Sequence, residues 1–139
     1  PMEGKDFLAL AKKLQNSDDE ASLRTAVSRS YFAIFNHVKN LLTTKGIKLP
    51  EAAQAHVKAH RYLSNSGIVE AEEMADDLDN LRKNRNDADY ELHSPKFSYD
   101  KKNCGLVSAK AVLFFERFDK INHQSLIKGI LDYKKKTND

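Results

Sequence analysis

The feature that most constrains the fold is a series of apolar residues spaced three or four positions apart between Leu23 and Leu42. Because an α-helix turns once in about 3.6 residues, this spacing puts them on one side of a helix of about five turns. The stripe consists of Leu23, Val27, Tyr31, Ile34, Phe35, Val38, Leu41 and Leu42. A stripe this wide has to be covered by other helices, so the chain is predicted to form a helical bundle.

The same period recurs along the rest of the chain, interrupted by short polar segments. It predicts a short helix over 7–14, a third helix from Glu51, a fourth from Ile68 towards Leu92, a fifth over 107–121 and a short tail helix over 126–131. We therefore predict an all-α fold, an up-and-down antiparallel bundle of four to five helices. It forms one domain over residues 1–139, with flexible ends at 1–4 and 134–139.

The composition excludes several other classes of protein. Five Gly and three Pro in 139 residues are too few for a turn-rich β fold. Cys104 is the lone cysteine, which excludes an internal disulfide and a cysteine zinc cluster and fits a reducing compartment. No segment approaches the roughly 20 apolar residues of a membrane span. We expect a cytoplasmic protein without membrane contact, whose net charge of +3 permits but does not establish binding to phosphates.

The predicted fourth helix carries a charged residue, Arg85, within its apolar stripe. A guanidinium leaves water only if it meets a carboxylate, several carbonyls or a phosphate. Arg82, Arg85 and Asp89 are three and four positions apart and share one helix face, and Asn86 and Tyr90 form the adjoining ridge. These five residues can therefore act together.

Two interpretations of this group remain open. In the structural one, Arg85 pairs with Asp89 while Arg82 extends its charged end into solvent. In the functional one, Arg82 and Arg85 present forked donors to a phosphate, and Asp89 holds one of them in place.

Two strings of the sequence resemble the signature segments of the HEPN superfamily. One is Ala-Val-Ser-Arg-Ser-Tyr-Phe-Ala-Ile-Phe at 26–35, and the other is Arg-Lys-Asn-Arg-Asn-Asp-Ala-Asp-Tyr at 82–90. The likeness is greatest to the small HEPN-domain proteins called UPF0332, whose second helix carries Ser-Arg-x-Tyr-Tyr-x-x-Phe and whose fourth carries Arg-x-x-Ala-Asp-Tyr. The order and distance of the two segments also match, so the resemblance covers residues 5–122 of this chain.

The resemblance implies an antiparallel bundle that forms a homodimer. Many HEPN proteins are metal-independent endoribonucleases of toxin–antitoxin or defence systems, and others bind nucleotides or partner proteins without cleaving anything. The nucleases carry an arginine, often a polar residue after it, and a histidine after four to six intervening residues. Arg85 and Asn86 match the first part. Tyr90 stands where the histidine would be, and His93 lies outside that spacing.

RNA cleavage without a metal needs a base, an acid and a cation that stabilises the charge on the phosphorus. Arg85, assisted by Arg82, could supply the cation, and Tyr90 or His93 would handle a proton. The resemblance adds Asn86 to these predicted catalytic residues. A tyrosine with an ordinary pKa near 10 is a poor base at neutral pH but can donate to a phosphate.

Arg82, Asp89 and Arg29 would complete the site as substrate-binding residues. An alternative for Arg29 is a structural bond across the bundle to Asp87 or Asp89. No cofactor or metal is predicted. His56 and His60 have the spacing of metal ligands, but no convincing third ligand accompanies them, and a surface or packing role is favoured.

Two functions therefore stay open. The first is a HEPN-type protein that binds RNA or a nucleotide phosphate, with endoribonuclease activity as an undecided extension. The second is a noncatalytic HEPN interaction module that pairs with a nucleotidyltransferase-like antitoxin or another partner protein.

Overall fold

A computed structural model describes residues 2–139 as six α-helices and no strand. They are α1 (Gly4–Leu14), α2 (Glu20–Thr44), α3 (Ala53–Ser64), α4 (Val69–Tyr90), α5 (Lys101–Lys120) and α6 (His123–Thr137). The predicted all-α class is confirmed. The six helices correspond to the six predicted helical segments, although the bundle was expected to contain four to five helices. The tail helix has 15 residues and is longer than the short one predicted over 126–131.

The central element is α2, against which α1, α4 and α5 all pack, while α3 packs mainly on α4. Asp19 begins α2 by accepting a hydrogen bond from the backbone N–H of Ser22 at 3.2 Å. Gly46, just after its end, has a left-handed φ of +85°, which is typical of a glycine that follows a helix. The predicted stripe of α2 is buried except for Leu41, which is half-buried. Burial of that stripe fixes the positions of the surrounding helices.

The C-terminal end of α4 is fixed by Arg24 of α2. The last carbonyls of a helix lack partners within the helix, and Arg24 donates to those of Ala88 at 3.0 Å, Glu91 at 2.7 Å and Leu92 at 3.1 Å. Its guanidinium also lies 4.1 Å from the centre of the Tyr99 ring, in the segment that leads to α5. α4 ends at Tyr90, two residues before Leu92, towards which the fourth helix was predicted to run.

The two ends of the chain, predicted to be flexible, are both joined to the bundle where the structure describes them. Gly4 begins α1 and is buried against the backbone of Ala33. At the other end, α6 continues through the lysines to Thr137, and Lys134 donates to the Tyr62 hydroxyl at 3.2 Å. Pro1 lies outside the described residues. Flexibility of these ends remains a prediction.

Within residues 2–139, every helix is either too short or too polar to span a bilayer.

Candidate functional site

Antiparallel packing of α2 and α4 brings most of the predicted site residues to one surface. Ser28 on α2 donates to the Asp89 carboxylate at 3.2 Å, and Phe32 one turn later lies under Arg85, 4.8 Å from its guanidinium carbon. α3 lies beside them, with His56 facing Tyr31 of α2. Since Arg24 fixes the end of α4, these side chains have a defined position relative to α2.

Arg85 is largely but not completely occupied by its own chain. Its Nε lies 3.1 Å from the Asp89 carboxylate in an ion pair that is not aligned as a hydrogen bond. Its Nη1 donates to the side-chain oxygen of Asn86 at 2.7 Å, while Nη2 has no hydrogen-bond partner within residues 2–139. The side chain keeps 18% of its exposure. The predicted ion pair between Arg85 and Asp89 is therefore present, and Nη2 of Arg85 remains available to a ligand.

Arg82 is left without a partner by its own chain. Throughout the described part of the chain, its guanidinium makes neither a hydrogen bond nor an ion pair, and its Nε is buried. The residue is half-buried, so it does not extend freely into solvent as the structural interpretation expected. A buried donor of a cation is costly to leave unpaired. The two Nη nitrogens of Arg82 are not enclosed and have no partner in the described chain, so an anion could bind them.

Tyr31 and His56, which the sequence analysis did not include among the site residues, lie beside the two arginines. The Tyr31 hydroxyl is 2.5 Å from His56 Nδ1, and the imidazole stacks on Phe35 at 4.1 Å between ring centres. Burial, together with the charges of Arg82 and Arg85, lowers the pKa of His56 to about 4. Burial also raises the pKa of Tyr31. His56 is consequently uncharged at neutral pH, and Tyr31 keeps its proton.

Arg29 does not make the bond across the bundle that was expected of it. Its guanidinium lies over the rings of Phe7 at 5.6 Å and Phe32 at 5.4 Å. Asp87 instead accepts from the Tyr99 hydroxyl, and Asp89 from Ser28. The expectation of a bond from Arg29 to either carboxylate is wrong. The residue borders the site because it shares the Phe32 ring with Arg85.

The two residues expected to handle a proton lie at the end of α4. Tyr90 is 71% exposed, and its ring centre is 5.9 Å from the guanidinium carbon of Arg85. His93 is exposed beyond the helix and makes no hydrogen bond to the described chain. The structure therefore brings Tyr90, but not His93, against Arg85. Their roles in catalysis remain predictions.

The remaining histidine pair, His56 and His60, was weighed as a metal site. Within residues 2–139 no group of three or more His, Cys, Asp or Glu side chains is arranged to hold a metal ion. One nitrogen of His56 is bonded to the Tyr31 hydroxyl.

No protein-family model, no curated protein and no solved structure matches this chain.

Proposed function

We propose that this chain is a HEPN-like protein that binds RNA or a nucleotide through a phosphate at Arg82 and Arg85. The observation that carries the proposal is the half-buried guanidinium of Arg82, which has no partner in the described chain. A guanidinium matches two oxygens of a phosphate with two parallel donors. Nη2 of Arg85 is a further donor available to the same ligand.

The local charge supports an anionic ligand. Arg82 and Arg85 together carry two positive charges, and Asp89 is the one carboxylate paired with either of them in the described residues, which leaves one positive charge. Asp79, a neighbouring carboxylate on α4, is paired with Lys83 at 3.2 Å. One phosphodiester would neutralise the remaining charge.

The exposed Tyr90 ring favours a single-stranded ligand over a duplex. An unpaired base can stack on an exposed aromatic ring, which contributes about 1–3 kcal/mol per base, whereas bases within a duplex are already stacked. Tyr90 lies next to Arg85, so one nucleotide could place its phosphate on the arginines and its base on the tyrosine.

The proposal is tested by comparing Arg82→Ala with Lys83→Ala. Lys83 is the next residue on α4, about 100° further around the helix, and its side chain is 72% exposed, so its substitution removes the same charge away from the proposed site. We expect Arg82→Ala to weaken binding of a labelled single-stranded RNA of about 12 nucleotides by about tenfold or more, measured by fluorescence anisotropy. Lys83→Ala should have a much smaller effect, removable with salt. Equal losses in the two variants would refute a specific phosphate site.

Endoribonuclease activity is the finer part of the proposal. The 2′-oxygen would attack the adjacent phosphorus as its proton is removed, and the bond from phosphorus to the 5′-oxygen of the next nucleotide would break, giving a 2′,3′-cyclic phosphate and a 5′-hydroxyl. Arg85 with Asn86 would stabilise the negative charge in the transition state, and Tyr90 or His93 would handle the proton delivered to the leaving 5′-oxygen. Wild type, Arg85→Ala, Tyr90→Phe and His93→Ala are incubated with labelled RNA in EDTA. Cleavage that Arg85→Ala abolishes without lowering the melting temperature supports the activity. If wild-type protein leaves the RNA intact, the endoribonuclease proposal is refuted and only the proposal of RNA binding remains.

The second candidate is a noncatalytic HEPN module that pairs with a nucleotidyltransferase-like antitoxin or another protein. The exposure of Tyr90 and of Leu92, which is 82% exposed, favours it, because adjacent exposed apolar side chains are typical of protein contacts. The homodimer and the cytoplasmic location expected from the sequence belong to the proposal in either form. Co-expression with the product of a neighbouring nucleotidyltransferase-like gene tests it. Loss of the complex on Leu92→Ser is expected, and an unchanged complex would contradict the assignment of this surface.

A further inference from the structure

We infer that His56 is a third donor of the phosphate site and that the hydroxyl of Tyr31 fixes its Nε2–H for this purpose. The inference rests on the proposed function, because it concerns the same ligand. It adds a residue of α3 to a site otherwise built from α4. Neither the spacing along α4 nor the resemblance to the HEPN superfamily assigns it.

The hydrogen bond between Tyr31 and His56 determines which imidazole nitrogen carries the proton. Tyr31 is 1% exposed, and His56 Nδ1 is the one hydrogen-bond partner of its hydroxyl in the described chain. A buried phenol keeps its proton and donates it, so Nδ1 accepts. A neutral imidazole that accepts at Nδ1 carries its hydrogen on Nε2. His56 is therefore a hydrogen-bond donor at Nε2 and not a base there.

The ring is held rigidly next to Arg85. Phe35 stacks on one face of His56, with 4.1 Å between ring centres and 28° between planes. The Phe32 ring, which supports the guanidinium of Arg85 at 4.8 Å, lies 6.4 Å from the imidazole centre. His56 Nε2 makes no hydrogen bond to the described chain and is not among its enclosed polar atoms. A fixed donor without a partner thus lies on α3, on the other side of the Phe32 ring from Arg85 or close to it.

The charges around His56 make the pKa of its imidazole sensitive to a bound phosphate. Arg82 and Arg85 face it from α4, and Lys39 and the neutral Tyr31 face it from α2. All three cations oppose protonation of the ring. A bound phosphodiester reverses part of this repulsion, so binding raises the pKa of His56 from its value of about 4. Affinity then increases as the pH falls from 7 towards this raised pKa and levels off below about 4.

The test is an NMR titration of the ¹⁵N-labelled full chain with oligouridine, in which the imidazole nitrogen resonances are recorded between pH 7 and 4. The bases of oligouridine do not titrate in this pH range. We expect the Nε2–H form in the free protein, a shift of the His56 resonances with RNA, and an increase of about one unit in its pKa. His56→Gln identifies the signals by their loss.

Binding by variants separates a donor from a packing residue. The amide nitrogen of His56→Gln takes the position of Nε2 and should keep affinity within about twofold, whereas His56→Leu, which fills the space without a donor, should lose about tenfold. His60→Leu, one turn further along α3, is the matched control and should bind as wild type does.

Three results would overturn the inference. They are unshifted His56 resonances with bound RNA, an Nδ1–H form in the free protein, and equal losses in His56→Gln and His56→Leu. Each of these leaves the proposed function intact as long as Arg82→Ala still weakens binding more than Lys83→Ala. If those two α4 variants bind RNA equally well, the phosphate site itself is refuted, and the inference is refuted with it.

Discussion

Replacing Arg24 should loosen the end of α4 on which the site is built. Arg24 is 13% exposed at its side chain and donates to the carbonyls of Ala88, Glu91 and Leu92. It also stacks on Tyr99. Arg24→Ala removes these contacts together, because a single guanidinium makes them all.

The cost of Arg24→Ala can be worked from these contacts. A hydrogen bond to a charged group contributes about 1.5–3 kcal/mol, but the exposed carbonyls of Glu91 and Leu92 can bind water instead. The carbonyl of the buried Ala88 has less access to water. Together with about 0.5–1 kcal/mol for the contact with Tyr99, we expect a loss of about 2–4 kcal/mol in the free energy of unfolding. That is a large part of the roughly 5–15 kcal/mol that stabilises a typical domain.

Urea unfolding followed by circular dichroism measures this loss. Arg24→Lys should recover at most half of it, because one ammonium keeps the charge near the helix end but cannot reach three carbonyls. Glu20→Ala is the matched control, since it removes only the exposed ion-pair partner of Arg24 and should cost less than about 0.5 kcal/mol. An Arg24→Ala variant as stable as Glu20→Ala would refute the proposed role of Arg24.

Three further predictions concern the bundle. Gly129→Ala should destabilise the protein in thermal unfolding, because the added Cβ would lie 1.8 Å from the Ser66 carbonyl oxygen. Gly105→Ala has open space around it and should stabilise the protein by about 0.5–1 kcal/mol. Changes of the same sign in the two variants would contradict the packing of these helices. The lowered pKa of His56 means that, as the pH falls, the unfolded chain binds a proton before the folded one does. The stability is therefore highest above the unfolded pKa near 6.5 and decreases as the pH falls towards the folded pKa of about 4. His56→Gln should lack this slope between pH 7 and 5 in urea unfolding, and an unchanged slope would show that His56 titrates normally. Cys104 is buried and burial raises its pKa to about 11, so a thiol reagent should modify it only as fast as the protein unfolds; rapid modification of folded protein would contradict its burial.

The helices could be predicted from the sequence because each depends on a local period. The stripe of α2 and the Arg85–Asp89 pair, four residues apart on one helix, both follow from spacing within one element. The length of α6 was underestimated, because Lys134–Lys136 carry no apolar signal. Basic residues are nevertheless favourable in the last turn of a helix.

The parts of the site that the sequence analysis missed depend on contacts between helices. Arg24 meets carbonyls more than sixty positions away, and Tyr31 meets His56 on another helix. Arg29 was assigned to Asp87 or Asp89, yet Tyr99 and Ser28 occupy those carboxylates. The period of a single helix contains no information about which residue of a neighbouring helix forms a hydrogen bond with a given side chain.

The most direct measurement of the central proposal is the side-chain Nε–Hε resonance of Arg82 in ¹⁵N-labelled protein titrated with single-stranded RNA. We predict that this resonance shifts as phosphate binds to the guanidinium, while the Nε–Hε resonance of Arg24, whose hydrogen is already donated to the Glu20 carboxylate at 3.1 Å, is unchanged. RNA that binds the protein and leaves Arg82 unmoved would contradict the account.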